Sequence, residues 1–115
     1  MKIQAQWENE EKRNYIINIT GEIDTTTYDE LATYMEAAII QNPKILSLDF
    51  SAVSYVTSAG LRVLLSAQKK IHENGNKMQL YHVNHSILSV FTMTGFIDIL
   101  DIRKEGGERV GNGNE

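Results

Sequence analysis

The chain has 115 residues, one domain's worth, which excludes a two-domain enzyme with a cleft between halves. Its 42% hydrophobic, 23% charged and 8% aromatic content is ordinary globular usage, so wholesale disorder and fibrous structure are excluded as well. With 15 acidic against 11 basic residues the net charge is −4 and no dense Lys/Arg stripe is visible, so no direct nucleic-acid partner is expected.

The absence of cysteine excludes disulfides, thiolate zinc sites and cysteine nucleophiles. The first residues, from Met1 to Glu8, show neither the apolar run nor the small-residue cleavage site of a secretory signal. No apolar run approaches the roughly 20 residues needed to span a bilayer. The expectation is a soluble, cytoplasmic protein without stable membrane insertion.

In chain order, residues 3–7 and 15–20 are rich in β-branched and aromatic types and flank a charged turn that includes Glu10 and Glu11, which predicts a hairpin. Thr27 followed by Glu30 has capping-box spacing and predicts a helix over residues 28–41, its stripe Leu31, Met35, Ala38 and Ile39 facing a sheet. Pro43 prevents its continuation. Residues 45–50 read as a central strand, 51–57 as a loop by composition, and Ser58 onward as a second helix with Leu61, Leu64, Leu65 and Ile71 on one side and Gly75 at its end. A strand over 78–83, a helix over 85–94 capped by Asn84 and ended by Gly95, and a last strand over 98–102 complete the pattern. Residues 105–115 carry four glycines and almost nothing apolar, so a domain over 1–104 is expected to be followed by a disordered tail.

The order β-β-α-β-α-β-α-β predicts an α/β fold: a mixed, mostly parallel sheet after an N-terminal hairpin, packed with about three main helices. Such a fold hosts many functions, so function has to be read from a site.

The informative stretch runs from Asp49 to Leu61. Ser58, Ala59 and Gly60 open a helix directly after a strand and its connection, where free N–H groups and the helix dipole favour an anion, so a phosphate on Ser58 is locally acceptable. Its small neighbours are expected to leave the hydroxyl uncovered and let another protein approach. Asp49 reads as a residue that closes its strand and bonds loop amides. His72, His82 and His85 have neither the spacing nor the accompanying carboxylates of a metal site. The sequence holds no nucleophile elbow, dinucleotide fingerprint or phosphate loop, so neither catalysis nor a cofactor is expected. Met35, Met78 and Met93 read as packing residues.

Asp49-x-Ser51 followed by Thr57-Ser58-Ala59-Gly60-Leu61 resembles the signature of the stand-alone anti-sigma factor antagonists of the STAS domain family. Gly21-Glu22-Ile23-Asp24 is similar to that family's turn before the first helix, and Thr94-Gly95-Phe96 to its turn before the last strand. The resemblance implies a STAS-like fold and a non-enzymatic binding module. Its unmodified form captures an anti-sigma factor that is also a serine kinase, releasing a sigma factor for transcription, and a serine/threonine phosphatase reverses the kinase's modification. It makes Ser58 the phosphoacceptor and places Asp24, Thr57, Ser58, Ala59, Gly60 and Leu61 at the partner-binding surface. Asp24 is then either a turn residue or a group that contacts the acceptor or a kinase-bound metal.

Many antagonists carry aspartate just before the acceptor, where this chain has Thr57. Thr57 can cap the helix, be the modified residue, or mark a different kinase; the cap is favoured because a threonine there satisfies orphan amides. A second function of the same fold is a non-catalytic scaffold or accessory subunit of a signalling or lipid-transport complex. A third reading, a phosphoaspartate receiver with Asp49 as acceptor, lacks the acidic pair after the first strand, because Glu10 and Glu11 fall in the hairpin turn.

Overall fold

Alternation in β1 (Lys2–Trp7) turns Ile3, Ala5 and Trp7 to one face, where they meet Ile19, Ile17 and Tyr15 of β2 (Asn14–Ile23) across an antiparallel pairing. The computed structural model describes residues 1–9, 11, 13–104 and 107–110. Glu10 of the hairpin turn, and 105–106 and 111–115 of the expected tail, lie outside the described residues. β2 pairs parallel with β3 (Ile45–Val56), β3 with β4 (Lys77–Tyr81) and β4 with β5 (Asp101–Arg103), so the strands stand in the sheet in chain order. Each parallel step needs a crossover, supplied by α1 (Tyr28–Ile40), α2 (Ser58–Glu73) and α3 (His85–Thr94).

The registers align Ile17, Leu48, Leu80 and Ile102 in one fully buried row across β2 to β5. Leu31, Met35 and Ala38 of α1 and Leu61, Leu64, Ala67 and Ile71 of α2 close over that face, with the two helices side by side. The opposite face is polar: the Ser47 hydroxyl donates to Asn14 Oδ1 at 2.8 Å and the Gln79 amide to Asp101 Oδ2 at 3.4 Å.

Four local expectations are corrected. Residues 51–56 are the second half of β3, not a loop: two one-residue bulges, opposite Asn18 to Thr20 and Gly21 to Glu22, let the strand continue beside β2. Thr27 forms no capping box; its hydroxyl donates to the Glu22 carbonyl at 2.8 Å and accepts the Asp24 amide at 2.9 Å, tying α1's start to β2's end. The last strand begins at Asp101 rather than 98, because Gly95, left-handed at φ +80°, launches a 3₁₀ turn (Phe96–Asp98) that buries Ile97 and Leu100. Within the expected tail, residues 107–110 turn back along β5: the Val110 amide donates to the Ile102 carbonyl at 2.7 Å, and Arg109 bridges Arg103 antiparallel. The cap of α3 falls as read, with Asn84 Oδ1 accepting the Ile87 amide at 2.9 Å.

Candidate functional site

β2 and β3 end side by side, Ile23 opposite Val56, and the chain leaves both ends at one edge of the molecule. Thr57 clamps the two together. Its amide donates to the Ile23 carbonyl at 2.8 Å, and its hydroxyl, 3.3 Å from the same oxygen, points there too. Thr57 therefore occupies the N-cap position of α2 in extended conformation without a side-chain capping bond, which corrects the expectation that its hydroxyl satisfies α2's orphan amides. The helix closes its first turn through the backbone instead, the Leu61 amide donating to the Thr57 carbonyl at 2.9 Å.

The next residues differ sharply in exposure. Ser58 is exposed, Ala59 and Leu61 are each 5% exposed, and Gly60 is buried. Gly60 faces the end of β2 so closely that an added Cβ would stand 2.5 Å from Ile23 Cγ2 and 3.1 Å from both the Ile23 carbonyl oxygen and Val56 Cγ1. Glycine is required there by contact: it lets α2 begin against the two strand ends, and that pose turns Ser58 outward. Ala59, Gly60 and Leu61 thus support the surface from beneath rather than forming it. Tyr55, 55% exposed two residues before Thr57 on the bulged half of β3, and Arg62, exposed one turn along α2, flank the motif in the chain, and sequence reasoning did not single them out. The four-residue step from Ser58 to Arg62 was the available signal for the latter.

Asp24 follows Ile23 directly, so the clamp that holds Thr57 also places the turn bearing Asp24. Its Oδ1 accepts from the Thr26 hydroxyl at 2.6 Å and the Thr26 amide at 2.8 Å, and Thr27 Oγ1 lies 3.3 Å away. The Thr26 hydroxyl and amide hold the Asp24 carboxyl below the ordinary aspartate range, so it is a fixed anion at neutral pH. The site joins a half-exposed carboxylate, a tethered threonine and an open serine hydroxyl where β2 and β3 end.

Asp49 stands apart, inside β3 rather than at its end: its Oδ1 accepts the Ser51 amide at 2.9 Å and meets His82 Nδ1 at 3.1 Å. A receiver's acceptor at a strand end does not match that placement. Among the described residues no three His, Cys, Asp or Glu side chains gather as a metal site, and no helix is long and apolar enough to cross a membrane.

The STAS domain pattern matches residues 6–108. The anti-sigma-B factor antagonist of Listeria monocytogenes is 28% identical over 112 residues, spanning 97% of this chain and 98% of that one. The anti-sigma-B factor antagonist of Bacillus subtilis is 30% identical over 93 residues, 79% of this chain and 84% of its own. Among solved structures, the Bacillus cell fate determinant SpoIIAA in its phosphorylated form aligns with a TM-score of 0.69 over 90% of each chain at 16% identity, a likeness of fold.

Proposed function

The chain belongs to the STAS domain family, and from that premise we propose that it is an anti-sigma factor antagonist, capturing an anti-sigma factor while Ser58 is unmodified and releasing it once Ser58 is phosphorylated. The reading draws support from relatives that carry the name anti-sigma-B factor antagonist over most of their length. The observation that carries it is the exposure of Ser58 in a motif whose other members are tethered or buried.

The partner in this reading is itself a serine kinase. It moves the γ-phosphoryl group of ATP to Ser58 Oγ, the hydroxyl proton is lost and ADP leaves; a serine/threonine phosphatase hydrolyses the ester and restores the hydroxyl. The chain itself contributes no catalytic group. It holds the acceptor outward by the Thr57 and Gly60 contacts with Ile23, and it presents Asp24 as a recognition group on the same rim. A phosphate adds about −1.5 to −2 charges at neutral pH. On a surface that a partner must cover, a penalty of about 4 kcal/mol lowers affinity about a thousandfold.

The test is capture from the native cell extract with wild type, Ser58→Ala and Ser58→Asp, with mass spectrometry of the partners and of residues 57 and 58. Wild type and Ser58→Ala are expected to retain an ATPase-fold kinase that Ser58→Asp loses, with phosphate on Ser58. Retention of one partner by all three, with neither hydroxyl ever phosphorylated, overturns the switch and leaves a scaffold subunit in its place.

A further inference from the structure

Arg62 follows Ser58 by four residues on α2, which places the two on nearly the same bearing one turn apart. Helical side chains lean toward the N-terminus, so the Arg62 stem lies over the turn that begins at Ser58. Both residues are exposed, and among the described residues no carboxylate forms an ion pair with Arg62. The side chain instead forms part of one lip of a groove between α1 and α2, with Ala59 and Val63 on its own helix and Tyr28 and Glu36 across from it.

We propose that a phosphate on Ser58 is held within the same chain by Arg62. The planar guanidinium offers two parallel N–H donors to two phosphate oxygens, a match that a point charge does not make. The contact rests on Ser58 being the phosphoacceptor, and it deepens that reading by giving the modified state its own structure. The phosphate then acts twice on the surface: it places charge at the start of α2, and it draws the Arg62 cation toward that start and away from Glu36 across the groove. A partner that meets Arg62 in the unmodified form loses that contact when Ser58 is phosphorylated.

The experiment installs phosphoserine at position 58 during translation of the full chain, so it needs no cellular kinase. Phosphorus NMR then follows the second ionisation of the phosphate at low ionic strength in the parent, Arg62→Gln and Arg62→Lys. Tyr28, Glu36 and Lys70, which line the groove with Arg62, are present in all three proteins and cancel in the comparison. The second pKa is expected to lie lower in the parent than in Arg62→Gln by about 0.3 unit or more, with Arg62→Lys between them. The difference is expected to shrink at about 1 M salt, where the Debye length is about 3 Å. Coincident titrations of the parent and Arg62→Gln, both folded by unchanged melting of their unphosphorylated forms, overturn the proposal. Failure of the antagonist reading registers separately, as unchanged capture by Ser58→Asp.

Discussion

From Ile45 to Asp49, β3 has a hydrogen-bonded strand on each side; beyond Ser51 its pairing with β4 has ended and β2 is the partner strand. The first half buries Leu46, Ser47, Leu48 and Phe50, whereas the second exposes Ser51, Ala52, Ser54 and Tyr55 and keeps only Val53 and Val56 inside. The first half holds the sheet together, and the second carries the chain out of it to the point where α2 begins. The difference teaches that, on the proposed reading, stability and recognition occupy separate lengths of one strand. A change in the first half should cost folding without altering what the surface presents, and a change at the far end should do the reverse.

The largest effect is expected from Leu48→Ala in the first half. Leu48 is fully buried in the row with Ile17, Leu80 and Ile102, so its truncation should cost about 2–5 kcal/mol in denaturant unfolding. Where the variant remains folded, phosphorylation at Ser58 should persist. Gly60→Ala comes next. Its Cβ would meet Ile23 on both side chain and carbonyl, and overpacking of this kind costs about 1–3 kcal/mol, partly offset by about 0.5–1 kcal/mol of helix propensity. Because α2 must draw back to relieve the clash, capture of the partner should fall more than stability does. Equal losses in both would break the proposed division of β3.

Asp49→Asn tests the joint between the halves, at the first bulge. Burial pushes the Asp49 carboxyl up, but the Ser51 amide and hydroxyl and the His82 ring outweigh it and leave it below the ordinary aspartate value of about 3.9. A folded-state pKa that is depressed contributes stability above the unfolded value and loses it as pH falls through the folded one. The variant should therefore be weaker than the parent by about 1 kcal/mol at pH 7, kept small by the site's partial exposure. The gap should close as pH falls below about 4, read by thermal melting across pH; a gap that stays constant to pH 2 would show that the carboxylate's charge has no part in it.

The bulged half is also where the sequence was hardest to read. The element order, the parallel sheet and the caps at Asn84 and Gly95 were legible because period-2 and period-3.6 patterns and turn residues all agree there. In β3 the buried positions run Phe50, Val53, Val56, a spacing of three that no regular strand shows. Each bulge inserts one residue, so two bulges turn alternation into that spacing and make a strand look like a loop. The candidate site residues were named through the resemblance of their motif, but the reason for Gly60 was not legible: a close approach to Ile23, 37 positions away in the chain, leaves no local pattern. Arg62 was hidden for a simpler reason, since an exposed arginine on an amphipathic helix is what solvent alone would select.

Thr57 gives the smallest expected effect and the sharpest separation of anchor from acceptor. Its hydroxyl and its amide both point at the Ile23 carbonyl, the amide at 2.8 Å and the hydroxyl at 3.3 Å. Thr57→Val keeps the side chain's shape and the amide's bond while removing the hydroxyl. The carbonyl remains satisfied, so the loss should stay under about 1 kcal/mol. Phosphate should still appear on Ser58, and capture should be unchanged, because a half-buried hydroxyl turned toward β2 is not what a kinase reaches. If Thr57→Val instead abolishes phosphorylation while leaving the melting temperature in place, Thr57 is the acceptor and Ser58 the bystander. The outward face of the first turn of α2 would then not be the surface that the switch modifies.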